Sequence, residues 1–341
     1  KQRTAEDYKK ATKFMQRSWY GMVYNQIGSQ KWTDDNTIVY SKKTKNGIEY
    51  ISVNAKTKKK SILKDYKTLK TESKYGKATR NEHVSPNGKL AAYIDNYNLW
   101  VRDLSTNKKT QLTFDGKKDY GYATNNAGWI KSDNAVLKWS PNSDKIATFQ
   151  QDARGVGMMY LTTTNVGHQK LEAWRHPLPG DKTIFTIERV IIDLGKRPKV
   201  VRLKMDKDFQ RGTTTDHIAG RGGELLDAQW SKDGSKFAFV SGSRDHKEAH
   251  LQIADTRTGK VSSIHKEVVD TYYESGVNAE NWKVLFDSNE FIWYSEKTDW
   301  GHLYLYDLKT KKLKNQITSG DWIVREIHHI DKKQREIYFI A

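Results

Sequence analysis

The chain contains no cysteine, which excludes disulfides, thiolate metal sites and a cysteine nucleophile. Proline is scarce, with five in 341 residues, so most punctuation falls to 23 glycines spread along the chain at turn-like positions. No apolar run approaches the roughly 18–20 residues that a membrane-spanning helix needs. The longest, such as residues 237–240, are strand-sized. No Asn-x-Ser/Thr sequon occurs, which argues against a glycosylated ectodomain. The chain opens on Lys1 rather than Met, as expected either of a cleaved signal peptide or of a trimmed sequence. Aromatic residues, by contrast, are plentiful. Eleven Trp and 18 Tyr argue for a folded core despite a mean hydropathy of -0.84.

The formal charge of +18 invites a nucleic-acid reading. The lysines, however, gather in short runs at 58–60, 108–109, 311–312 and 332–333, each where a turn should join two strands. Lysine at exposed turns keeps β proteins soluble and their edges unpaired. A nucleic-acid groove would interleave Arg and aromatics on one face. Solvated turns are therefore expected, and no nucleic-acid partner.

Internal repetition is the decisive feature. Ser85-Pro86-Asn87-Gly88-Lys89 leads into Leu90-Ala91-Ala92-Tyr93. The same turn-then-strand pattern returns from Ser140-Pro141-Asn142, from Ser231-Lys232-Asp233-Gly234 and, worn, from Asp287-Ser288-Asn289. A second half alternates apolar and polar residues and ends on aspartate, as in residues 98–104, 251–255 and 303–308. Each such Asp can cap the turn that follows. A fourth, outer strand completes the unit, as at residues 109–113. Four antiparallel strands at a period of about 45–55 residues predict propeller blades. Residues 32–40 with 49–53 read as an earlier blade, and 331–340 as the opening of a later one. The double spacing between the Ser140 and Ser231 copies predicts an insertion around 165–181 and 207–224.

Ahead of the repeats, Thr4 is a plausible N-cap for a helix reaching about Tyr24. Tyr8, Ala11, Phe14, Met15, Trp19, Met22 and Val23 recur there at helical spacing. The chain thus divides into an N-terminal helix or linker at 1–24 and a propeller at 25–341.

Chemistry-bearing motifs are few. Asp152-Ala153-Arg154-Gly155-Val156-Gly157 lacks the Lys-Ser/Thr ending of a phosphate cradle. Its Arg154 can reach a substrate carbonyl or carboxylate, or sit in a solvated turn. The pairs Asp216-His217, Asp245-His246 and His328-His329 lack the spacing of a metal site. Adjacent histidines on a strand point to opposite faces. No metal and no cofactor are expected. Turn capping explains Asp233 and Asp255 better than acid–base chemistry.

The ordered series resembles the N-terminal domain of the dipeptidyl peptidase IV family, within the prolyl oligopeptidase superfamily. The helix entry at 5–8, the strands at 85–93 and 98–104, and Leu112-Thr113-Phe114-Asp115-Gly116 carry it. So do Trp139-Ser140-Pro141-Asn142, Pro177-Leu178-Pro179-Gly180-Asp181 and Thr318-Ser319-Gly320-Asp321-Trp322. The resemblance implies an all-β propeller of eight blades, of which this chain holds about five to six, preceded by one α-helix. It implies N-terminal dipeptide release from an oligopeptide substrate, by a C-terminal α/β-hydrolase domain of the same protein carrying Ser, Asp and His. No Gly-x-Ser-x-Gly occurs in this chain, and Ala341 falls part-way through a blade pattern. No catalytic residue is therefore expected here. A homodimer and a bacterial periplasmic or secreted location are also implied.

In that family the propeller supplies two adjacent glutamates that hold the substrate's α-ammonium group. The matching stretch here, residues 120–129, has none and offers Asn125, Asn126 and Trp129 instead. Amide oxygens can accept hydrogen bonds from an ammonium but contribute no full negative charge. These three residues and Arg154 are the substrate-binding candidates. A free-standing propeller that binds a protein or glycan is the alternative reading.

Overall fold

A computed structural model describes residues 3–12, 14, 23–34, 36–64, 75–124, 132–164, 166–210, 218–220, 223–273 and 280–341. The chain divides into two compact units, Lys1–Lys74 and Tyr75–Ala341. Among the described residues no helix is long and apolar enough to cross a membrane.

The first unit opens on α1 (Ala5–Thr12). Its start is a reciprocal cap. Asp7 N–H donates to Thr4 Oγ1 at 3.3 Å while Thr4 N–H donates to Asp7 Oδ2 at 2.9 Å, satisfying donors the helix cannot. Val23 and Tyr24 are not helical, so the helix does not run to Tyr24. Met15, Trp19 and Met22 lie outside the described residues. A four-stranded antiparallel sheet follows: β1 (Ile27–Asp34), β2 (Thr37–Thr44), β3 (Gly47–Asn54) and β4 (Lys60–Leu63).

The second unit repeats that meander. β5 (His83–Val84), β6 (Leu90–Asp95), β7 (Asn98–Asp103) and β8 (Lys109–Gln111) form one sheet. In the next, β10 (Lys138–Trp139), β11 (Lys145–Asp152), β14 (Thr186–Asp193) and β15 (Lys199–Arg202) are widened by β9 (Tyr120–Tyr122) and β16 (Asp208–Phe209). The insertion expected from the spacing is largely a separate hairpin, β12 (Met158–Thr162) with β13 (Leu171–Arg175). Two further four-stranded sheets are β17 (Ala228–Trp230) to β20 (Val261–Val268) and β21 (Lys283–Leu285) to β24 (Leu313–Gln316). Their inner pairs are β18 (Lys236–Gly242) with β19 (Glu248–Asp255), and β22 (Glu290–Ser295) with β23 (His302–Asp307). A final hairpin is β25 (Glu326–Asp331) with β26 (Glu336–Ile340). Among the described residues, one four-strand meander in the first unit and four with an opening pair in the second show the blade pattern of a partial propeller.

The repeated serine closes each first turn. Ser85, Ser140 and Ser231 accept from the N–H five residues on, at 3.0, 2.9 and 2.9 Å. All three are buried, so the bond replaces a lost water contact. The repeated aspartate closes each third turn: Asp103, Asp255 and Asp307 accept N–H bonds from Thr106, Thr258 and Thr310.

Strand alternation then glues sheet to sheet. Phe237 and Phe239 pack toward the β11–β14 sheet with Phe149 and Ile187, whereas Ala238 and Val240 pack toward Phe291 and Trp293. On β22 the rule repeats, since Ile292 and Tyr294 turn to Ile327, Ile330 and Ile337 of the final hairpin. Successive side chains of a strand face opposite ways, so each central strand feeds two apolar layers.

Trp293 is fully buried and stacks on Tyr273 with centroids 5.7 Å apart. Trp293→Ala should lower unfolding free energy by about 3–5 kcal/mol. Phe114→Ala, at a residue 76% exposed, should change it by less than about 0.5 kcal/mol. Urea titration of both variants checks the contrast. Buried Glu290 accepts from Arg335 at 3.0 Å and pairs with Lys314, which lowers its pKa to about 2. Its folded value lies below the unfolded one. Its contribution is therefore complete above about pH 4.3 and is lost as pH falls toward 2. Glu290→Gln should flatten that part of a stability–pH curve.

Candidate functional site

Arg154 and the residues flanking the other candidates lie at the β11 sheet that carries β9. Tyr122 leads into Ala123, whose N–H donates to Phe149 O at 2.8 Å and whose carbonyl accepts from Val136 N–H at 2.9 Å. The described residues on either side of 125–131 thus have two feet on the sheet. Thr124 secures one foot, donating to Gln151 Oε1 at 3.2 Å; Gln151 in turn donates to buried Gln210 at 2.6 Å. At the other foot Asn134 N–H donates to Ser132 Oγ at 3.1 Å. Asn125, Asn126 and Trp129 lie between these feet in sequence and outside the described residues.

Arg154 is described, and it is not a free solvated cation. Its Nε and Nη2 donate to both oxygens of Asp152, each at 2.8 Å, and its guanidinium lies 4.1 Å from the centre of the Tyr120 ring. Asp152 also accepts from Lys207 at 2.9 Å. These donors hold the Asp152 carboxyl well below the usual range, with the Arg154 bonds the largest cause. Tyr120 donates to Glu188 at 2.9 Å, and burial followed by that bond pushes its phenol up. Arg202 joins Glu188, Asp115 and the Tyr122 hydroxyl at 3.1, 3.1 and 2.9 Å.

Beneath this network Arg189 and Asp208 form a buried pair at 2.9 Å. It is completed by Ser241 on Asp208 and by Val240 O on Arg189. A buried ion pair is tolerable only when such extra bonds satisfy it. The result is a rigid platform on which half of Arg154's side chain, 51% exposed, keeps unused N–H donors. A carboxylate or carbonyl could take them.

Reasoning from the sequence missed most of this set. Asp152 was within reach, since its position two before Arg154 makes an Asx turn (Arg154 N–H to Asp152 Oδ1, 3.2 Å). Glu188, Arg202 and Lys207 carry no local signal. Also unforeseen is a polar cavity of about 460 Å³ beside the second foot, lined by Thr79, Arg80, Asn81, Ser132, Asp133 and Asn134. Asn134 Oδ1 is buried there without a hydrogen-bond partner. Among the described residues no group of three or more His, Asp or Glu could hold a metal ion. His217 lies outside them, and His246 stacks on Tyr272 with centroids 4.2 Å apart.

Similarity to known proteins now decides the family. The family profile described as the dipeptidyl peptidase IV (DPP IV) N-terminal region matches residues 32–341. The chain belongs to that family. The Aspergillus flavus protein named probable dipeptidyl peptidase 4 is 23% identical over 270 residues, covering 75% of this chain and 33% of the relative. The crystal structure of Porphyromonas gingivalis dipeptidyl peptidase 4 superposes with a TM-score of 0.58 at 15% identity, over 90% of this chain and 39% of that one. The chain therefore spans between a third and two fifths of the length of these DPP IV relatives.

The Asp152–Arg154 pair can be tested directly. The Asp152 carboxyl carbon, followed by NMR, should titrate below the ordinary carboxylate range, and Arg154→Ala should raise its pKa toward that range.

Proposed function

We propose that residues 25–341 are the propeller part of a dipeptidyl peptidase IV-like serine peptidase, preceded by a helix or linker at 1–24. The catalytic Ser, Asp and His are supplied by an α/β-hydrolase domain of the same protein. The propeller gates the cavity and helps bind an oligopeptide from which an N-terminal dipeptide is released. Family membership over residues 32–341 is the observation that carries this reading.

Asn125, Asn126 and Trp129, between Ala123 and Val136 in sequence, bind the substrate together with Arg154. Arg154 takes a substrate carbonyl or carboxylate, since the Asp152 bond and the Tyr120 ring fix it while leaving donors outward. The family's glutamate pair is missing. Asp133, a carboxylate exposed at the rim of the polar cavity and in none of the ion pairs of the Arg154 network, is our choice for the α-ammonium group.

The β12–β13 hairpin supports a homodimer. It exposes Met158, Tyr160, Leu161 and Leu171, and a two-stranded ribbon rarely leaves such side chains bare. A bacterial periplasmic or secreted location rests on the family likeness, which includes a bacterial dipeptidyl peptidase 4 structure.

The test uses the full-length parent with an N-terminally free X-Pro-chromophore and its blocked analogue. Cleavage of the free substrate alone is expected. Arg154→Ala and Asp133→Asn should each lower kcat/KM about tenfold or more, the scale of a lost charge-assisted bond, and Asn126→Ala and Trp129→Ala should also lower it. Cleavage of neither substrate would return the weight to a binding propeller.

A further inference from the structure

The polar cavity of about 460 Å³ has two walls, each held in place by its own hydrogen bonds. One is the turn before β5. Thr79 N–H donates to Glu82 Oε2 at 2.7 Å, and Glu82 N–H donates back to Thr79 O at 3.2 Å. Glu82 in turn accepts from Arg102 Nε and Nη2 at 2.8 and 2.7 Å. The other wall is Ser132, Asp133 and Asn134. Asn134 N–H donates to Ser132 Oγ at 3.1 Å. Asn134 also packs on Gly223 so closely that a Cβ there would lie 3.1 Å from its own.

These walls present unspent charge of both signs. Arg80 and Asp133 are exposed, line the same cavity and make no ion pair among the described residues. Glu82, the carboxylate nearest Arg80 in sequence, is committed to Arg102. Asn134 adds a buried Oδ1 with no hydrogen-bond partner. An unmade bond at a buried acceptor costs free energy, and the soft χ2 torsion of asparagine lets that oxygen turn to an arriving donor. All six lining residues are polar, so an apolar ligand has nothing to bury against. An anion would satisfy Arg80 but meet Asp133, and a cation would do the reverse. A molecule with an ammonium at one end and a carboxylate at the other satisfies both.

We propose that this cavity binds a free dipeptide by its two termini, the α-ammonium on Asp133 and Asn134 Oδ1 and the carboxylate on Arg80. The dipeptide as occupant rests on the peptidase reading, in which Asp133 takes the α-ammonium group. The volume lies in the range of small-molecule sites, roughly 300–1,000 Å³. A guanidinium grips a carboxylate by two charge-assisted bonds, more strongly than a neutral carbonyl. A longer peptide has no carboxylate after its second residue, and hydrolysis creates one. The released product therefore gains a contact that the intact substrate lacks, and it competes with the next substrate for Asp133.

The experiment is isothermal titration calorimetry of the full chain with alanyl-alanine, N-acetyl-alanyl-alanine, alanyl-alanine amide and free alanine. Alanyl-alanine should bind about fivefold or more tighter than either blocked analogue, between the worth of an exposed ion pair and that of a charge-assisted bond. Arg80→Ala should abolish the preference over the amide and keep that over the N-acetyl analogue. Asp133→Asn should do the opposite. Lys118→Ala, the loss of an exposed cation elsewhere, should leave every affinity within about twofold. No binding of alanyl-alanine would overturn the proposal. So would an Arg80→Ala variant that still prefers the free carboxylate, or free alanine binding as tightly as the dipeptide. Cleavage of the chromogenic substrate by the full-length parent is read separately. Cleavage without dipeptide binding would overturn the dipeptide site alone, and dipeptide binding without cleavage would overturn the peptidase reading alone.

Discussion

Burial on both faces of each central strand is the constraint on which the rest of the structure rests. On β18 two aromatic rings, Phe237 and Phe239, serve one neighbouring sheet while Ala238 and Val240 serve the other. A slip of one residue would exchange these sets. It would force rings into a layer sized for Ala and Val and leave cavities in the layer that needs them. Register, sheet order and inter-sheet spacing are thus fixed by one pattern, and the turns need only be compatible with it.

The polar features follow from that rigidity. A buried ion pair such as Arg189–Asp208 survives because β14, β16 and β18 are already held in place, so that Ser241 and Val240 O can complete its bonds. Arg154 inherits its orientation from the same platform through Asp152. A guanidinium on a mobile turn would lose side-chain entropy on meeting a ligand, whereas this one has already been ordered.

Much of the fold was legible because the repeat writes its mechanics locally. Ser85, Ser140 and Ser231 are small hydroxyls at turn starts, and Asp103, Asp255 and Asp307 are capping residues at strand ends. Each acts within five residues of itself, so its role can be read without a partner. The inserted hairpin announced itself as a doubled period. The extent of α1 did not, because apolar spacing through Val23 says nothing of where the chain leaves the helix. The charge network was illegible for a different reason. Glu188 and Lys207 meet Tyr120 and Asp152, and Arg202 meets Tyr122 and Asp115, only through strand pairing across dozens of residues, and nothing near them in sequence marks the meeting. The cavity between residues 79–81 and 132–134 likewise exists only once two sheets have packed.

The β12–β13 hairpin leaves the sheet after Asp152 and returns at Thr186, and those two residues are partners in the β11–β14 ladder. Its strands bond to each other and to no strand of the sheet. Entry and exit therefore coincide, and the ladder does not register how much chain lies between them. Closure entropy grows only with the logarithm of that length. The hairpin is in effect a socket in the scaffold. Chain of different length or sequence can be exchanged there while β11 and β14 keep their pairing, so this edge of the protein is free to diversify on its own.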